Sequence, residues 1–153
     1  MTGRIVVGID GSPHSRRTLA FAVEEARRRG ATIDAVYAYA PPVYWSAPEF
    51  GVLIPRPESE VVEDARALLD RELGEVPDDV HIEHVVVEGP AARALLETAR
   101  GADLLVVGSR GRGGFMGLLL GSTSHQVVTH ATCPVVVVPM GEDEAAQQEG
   151  AAA

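Results

Sequence analysis

Two glycine clusters nine residues apart carry the groups best suited to chemistry: Gly108-Ser109-Arg110-Gly111 and Gly121-Ser122-Thr123-Ser124. The chemistry they suit is the binding of phosphate. Glycine lets a backbone approach a ligand closely and turn through positive φ. The first N–H groups of a helix lack internal partners and point at any anion placed there. The Ser122, Thr123 and Ser124 hydroxyls can add further donors. Arg110 and Arg112 are candidate phosphate partners on charge alone. A second candidate loop, Asp10-Gly11-Ser12, lies near the N-terminus, and His14 beside it is the histidine that could reach a phosphate.

These loops need strands and helices to bring them together. Residues 4–9 and 104–107 are β-branched or apolar without alternation, as in strands covered on both faces. Ser12 can cap a helix that Pro13 begins and Gly30 stops. Further strands are expected over residues 32–39, 80–88 and 135–138, with helices over 58–73, 91–100 and 122–131. The 80–88 run partly alternates, which suits an edge strand. Between 40 and 57 lies a long connection with five prolines plus Tyr44, Trp45 and Phe50; a lid, a partner surface and a plain insertion all fit it. Residues 141–153 read as a disordered acidic, alanine-rich tail after a folded domain over 1–140.

Five apolar strands alternating with four helices predict an α/β fold, a single parallel sheet with helices on both faces. Ligands of such sheets sit beyond the strand C-termini where the winding reverses. With strand order 3-2-1-4-5, the Asp10 loop and the Gly108 loop face each other across that crevice.

The totals narrow the chemistry. The chain has 153 residues, enough for one domain with a real core, and a formal charge of −9 that disfavours nucleic acid and anionic membranes as partners. All thirteen basic residues are arginine, so a Walker A loop and lysine Schiff-base chemistry are both excluded. Cys133 is alone, which rules out an internal disulfide or a cysteine-rich metal site. No apolar stretch approaches the roughly 20 residues of a membrane span. Asp10 and Gly11 interrupt the only early apolar run, so a secretory leader is not expected and a cytoplasmic location is.

A dinucleotide fingerprint is missing: Gly111-Arg112-Gly113-Gly114-Phe115-Met116 fails at its sixth place and follows the wrong strand. The pattern Gly108-x-x-Gly111, nine residues, Gly121-Ser122 instead resembles the nucleotide-binding signature of the universal stress protein family, in its ATP-binding branch. Ile5-Val6-Val7-Gly8-Ile9-Asp10-Gly11-Ser12, Gly89-Pro90-Ala91 and Cys133-Pro134-Val135-Val136-Val137-Val138-Pro139 fit the same family. The resemblance covers residues 4–139. It implies a Rossmann-like fold of the adenine nucleotide alpha hydrolase type, with ATP as ligand.

The resemblance also implies roles. Ile9 and Asp10, closing the first strand, would both belong to the nucleotide site, with Asp10 near the adenine and ribose, and Ala38 would offer backbone groups to the adenine. Gly108 would lie against the ribose. Gly111, Gly121, Ser122, Thr123 and Ser124 would hold the phosphates, bridged by Mg2+. It further implies a homodimer paired through residues 135–138, whose apolar edge a monomer would leave open.

Other readings of the same residues are simpler. Ser122 or Thr123 could cap the helix, Thr123-x-x-Gln126 making a capping box. His125 and His130 lie five apart, not at metal-pair spacing, and read as packing or surface. The site lacks an obvious general base, which favours a regulatory binding module with an unknown protein partner over an efficient enzyme. Slow ATP hydrolysis, self-phosphorylation at Ser109, Ser122 or Thr123, cyclic AMP binding, and a chaperone-like role without ligand are the alternatives.

Overall fold

The computed structural model describes residues 3–40, 44–47, 52–74, 76, 78–111, 119–142, 146 and 150. Its elements in chain order are β1 (Arg4–Gly8), α1 (Pro13–Arg29), β2 (Thr32–Tyr39), β3 (Tyr44–Ala47), β4 (Val52–Pro55) and α2 (Glu58–Leu73). They continue with β5 (Ile82–Glu88), α3 (Ala91–Thr98), β6 (Leu104–Gly108), α4 (Ser122–His130) and β7 (Val135–Val138). Five parallel strands form one sheet in the order β5-β2-β1-β6-β7, the expected winding. β1 and β6 are neighbours, with Val6 beside Leu105 and Val7 beside Val106. β5 lies at one edge, as its partial alternation suggested, and β7 at the other.

The non-alternating strands work because both faces are covered. Ile5 and Val7 point to a core with Leu19, Val23 and Ala26 of α1 and Ala65, Leu69 and Leu73 of α2. Val6, Leu105 and Val107 point the other way, to Ala94 and Leu95 of α3 and Val127 of α4. Cys133 packs half-buried against that second core. Burial pushes its thiol pKa up, which fits a packing role rather than a reactive one.

The helix ends follow the sequence signals where capping residues exist. Ser12 Oγ accepts the Ser15 N–H at 3.2 Å, Pro13 takes the first position, and Gly30 closes α1 in the left-handed region at φ 61°. The long connection differs from expectation. Four-residue strands β3 and β4 form a two-stranded antiparallel hairpin there, with Tyr44 opposite Pro55 and Ala47 opposite Val52. The expected tail lies mostly outside the described residues, as does the glycine arc over 112–118. No helix among the described residues is long and apolar enough to cross a membrane.

One ion pair braces α1 against α2. The Glu72 side chain is 1% exposed and accepts from Arg16 Nε at 2.9 Å, with Arg71 Nη2 at 3.5 Å. The Arg16 hydrogen bond outweighs burial and holds the Glu72 carboxyl below its ordinary 4.5. A depressed folded-state pKa gives stabilisation that is present above the unfolded value and is lost as pH falls through the folded one. Arg16 is largely exposed, so solvent screens the pair and Glu72→Gln should cost only about 1 kcal/mol at pH 7. Thermal unfolding from pH 7 to pH 3 should show that difference closing on the acid side. A difference independent of pH would mean the charge is not what matters.

Candidate functional site

Two turns and one helix start build the site. β1 ends at Gly8, one residue before the expected limit, although the Ile9 N–H still donates to the Val36 carbonyl at 2.9 Å. Asp10 then accepts the Ser12 N–H on Oδ1 at 2.9 Å, a side-chain-closed turn that Gly11 completes at φ 78°. The carboxylate is thereby fixed at the C-terminal end of the sheet, where α1 begins.

The second turn leaves β6 at Gly108. A Cβ on that residue would stand 2.7 Å from both Cδ2 and Nε2 of His14, so the strand and α1 meet this closely only with glycine there. Ser109 is 9% exposed and donates its N–H to the Val138 carbonyl at 2.8 Å and to His14 Nε2 at 3.1 Å. Its carbonyl accepts from the Gly121 N–H at 2.7 Å and from Ser124 Oγ at 2.9 Å. Gly111 comes back against the first turn: a Cβ on it would lie 3.0 Å from Asp10 Oδ2.

α4 starts on this framework. Its N-cap is Gly121, extended at φ −72° and ψ 168°, and no side chain caps it. The first intrahelical bond is from the His125 N–H to the Gly121 carbonyl at 2.9 Å. The N–H groups of Ser122, Thr123 and Ser124 therefore have no partner within the helix.

These parts enclose a cavity of about 660 Å³ at the C-terminal end of the sheet. Its lining includes Asp10, Arg110, Gly111, Gly121, Ser122 and Thr123, together with Gly108 at the end of β6. Its apolar lining includes Ile9, Val36, Ala38, Ala91 and Leu95. Ser124 completes the set, so the described residues given ligand roles line one space, His14 excepted. Arg112 lies outside the described residues.

Several details differ from the sequence reading. Ser124 is buried and donates to the Ser109 and Gly121 carbonyls, so its hydroxyl ties the turn to α4. Thr123 sits inside the first turn of α4 and not at its cap, which removes the capping box. Ser109 is absent from the described lining, so of the three hydroxyls considered as phosphate acceptors Ser122 and Thr123 reach the cavity. His14, buried at 5% exposure, accepts a backbone N–H beneath Gly108 and does not line the cavity. His125 and Gln126 do line it, which sequence reasoning missed. The available signal was spacing: they stand three and four places after Ser122, on its face of the helix. Among the described residues no group of three or more His, Cys, Asp or Glu gathers as a metal site.

The profile of the universal stress protein family matches residues 1–139. The chain belongs to that family. A universal stress protein of Mycobacterium tuberculosis is 40% identical over 148 residues, covering 92% of this chain and 45% of the relative. This chain thus spans about half the length of the mycobacterial relatives it matches. A universal stress protein of Thermus aquaticus is 39% identical over 137 residues, covering 88% of this chain and 96% of the relative. Among solved structures, a universal stress protein in complex with cAMP is 30% identical with a TM-score of 0.58, covering 89% of this chain and 95% of the other.

Proposed function

We propose that this universal stress protein binds ATP and acts as a nucleotide-dependent regulatory module of the stress response. The observation that carries the reading is the meeting of Asp10, Gly108, Gly111 and Ser122 around one cavity, although about a hundred residues separate the two glycine clusters from Asp10. The cavity lining mixes apolar and polar groups, as an adenine nucleotide does. Val36, Ala38, Ala91 and Leu95 suit the faces of a purine, while Arg110 and the open N-terminus of α4 suit phosphates.

A divalent cation fits as a companion of the ligand, not as a resident of the protein. Asp10 is the carboxylate lining the cavity among the described residues, and Mg2+ is held well by one carboxylate together with phosphate oxygens. Bound there, Mg2+ would neutralise phosphate charge. Asp10 already accepts the Ser12 N–H through Oδ1, so the turn holds the carboxylate in place for that task.

Cyclic AMP is the second reading, favoured by the neighbour described in complex with it. ATP is preferred because the uncapped helix start, Arg110 and Gly111 all line the cavity, more phosphate-binding surface than a single cyclic phosphate needs. A mass spectrum of the protein as isolated should show co-purified adenine nucleotide, and calorimetry should show saturable ATP binding that cyclic AMP displaces weakly. Saturable binding of neither ligand would sink the reading. Rapid phosphate release that Asp10→Ala removes would make the protein an enzyme instead of a binding module.

The assembly belongs to the same proposal. β7 ends the sheet with Val135-Val136-Val137-Val138, only its last residue fully buried, and a second copy paired along it would cover an apolar edge. A homodimer of twice the 16.2 kDa chain mass is expected by sedimentation at micromolar concentration, and a 16.2 kDa species would count against it. A cytoplasmic location and an unidentified protein partner that reads the ligand state complete the proposal.

A further inference from the structure

We infer that His14 is a positioning residue of the nucleotide site: its buried ring, by accepting the Ser109 N–H, sets the turn that carries Gly108, Arg110 and Gly111. The functional consequence rests on the nucleotide reading; the geometry does not.

Ser109 is the point where four elements are tied. Its N–H is shared between His14 Nε2 of α1 at 3.1 Å and the Val138 carbonyl at the end of β7 at 2.8 Å. Its carbonyl takes the Gly121 N–H and the Ser124 hydroxyl at the start of α4. Both backbone polar groups of this residue are thus turned into the protein, and Ser109 is missing from the described cavity lining. Gly108, Arg110 and Gly111 on either side of it all line the cavity. Fixing one residue inward is what presents its neighbours outward.

His14 is placed to do this from below. Its ring occupies the space a Gly108 side chain would need, with Cδ2 and Nε2 each 2.7 Å from the position of a Cβ. The Thr18 hydroxyl donates to the His14 carbonyl at 3.0 Å and steadies the helix turn that carries the ring. A neutral imidazole accepting through Nε2 carries its hydrogen on Nδ1. Because Val138 also accepts the Ser109 N–H, that donor keeps a partner when the imidazole acceptor is removed. The expected loss is therefore in the placement of the turn, and in ligand affinity, more than in folding.

The test compares the full chain with His14→Phe, which fills the space without an acceptor, and His14→Gln, whose amide oxygen can accept in place of Nε2. Nitrogen-detected NMR of the wild-type ring should show the Nδ1–H form. His14→Phe should weaken ATP binding about tenfold with a small change in unfolding temperature, and His14→Gln should stay within about threefold of wild type. The Nε2–H form in the wild type, wild-type affinity in the Phe variant, or a Gln variant as weak as Phe would each overturn the assignment. If the wild type binds no ATP, the nucleotide reading fails, and the Ser109 amide resonance decides about His14 alone. A shift of that resonance in the Phe variant and not in the Gln variant supports the strut, and its absence in both rejects it.

Discussion

Replacing Gly111 and Gly121 together by valine should abolish ATP binding and leave the protein folded. Neither glycine occupies a left-handed backbone conformation, so valine meets no backbone strain at either place. A Cβ on Gly121 would meet Arg110 Cα at 3.5 Å and the Ser109 carbonyl at 3.6 Å, which is ordinary contact. Valine is a poorer N-cap than glycine, a cost of about 1 kcal/mol against a total stability of about 5–15 kcal/mol. The ligand side is different. Positions 111 and 121 both line the cavity beside Ser122 and Thr123, so valine adds bulk where the phosphates would approach, and at position 111 a Cβ already crowds Asp10 Oδ2 at 3.0 Å. Losing both phosphate approaches should weaken ATP at least about 100-fold, equivalent to about 2.7 kcal/mol. Calorimetry gives the affinity and thermal unfolding checks the fold. An affinity within about threefold of wild type, in a folded double variant, would place the phosphates elsewhere.

That such a pair of substitutions could be chosen from the sequence reflects which parts of the fold have a local cause. Residues 4–8 and 104–108 lack alternation, and this alone marks strands that helices must cover on both faces, as Ile5, Val6, Leu105 and Val106 are covered. Glycine and proline punctuated the helices at Pro13, Gly30 and Gly89. The meeting of Asp10 with Gly111 was legible only through the rule that neighbouring strands present their C-terminal loops to each other. The distance between Asp10 Oδ2 and a Cβ on Gly111 is how that rule is expressed here.

The misses have non-local causes. β3 and β4 are four residues each and rich in turn formers around them, so no periodicity accumulates, and only cross-strand pairing defines them. Ser124 could serve a phosphate as well as a carbonyl by its chemistry; the nearness of the Ser109 carbonyl decided which. His14 is four residues from Asp10 and gave no signal of its partner, because Ser109 lies 95 residues away along the chain. His125 and Gln126 share a face of α4 with Ser122, but helical spacing alone does not say that a cavity lies against that face.

Leu105→Ala should be the most destabilising single truncation near the site, and ATP should recover part of the loss. Leu105 is fully buried as the second residue of β6, beside Val6 on one flank and Val135 on the other. It packs among Ala94, Leu95 and Val127, so truncation removes apolar contact and leaves a hole that rigid strands cannot close. The cost is about 2–5 kcal/mol, a fall of roughly 5–20 °C in the unfolding midpoint for a chain of this size. Leu119→Ala is the control, since Leu119 is 93% exposed and its loss should change stability by less than about 0.5 kcal/mol. A ligand that binds only the folded state at 100 times its dissociation constant returns about 2.7 kcal/mol. Saturating ATP should therefore raise the Leu105→Ala midpoint toward that of the unliganded wild type. Adding Gly111→Val and Gly121→Val to Leu105→Ala should remove the recovery, because the defect in the core and the defect in the cavity act on different terms of the same equilibrium. A Leu105→Ala protein whose midpoint ATP leaves unchanged would show that the folded state holds no such ligand.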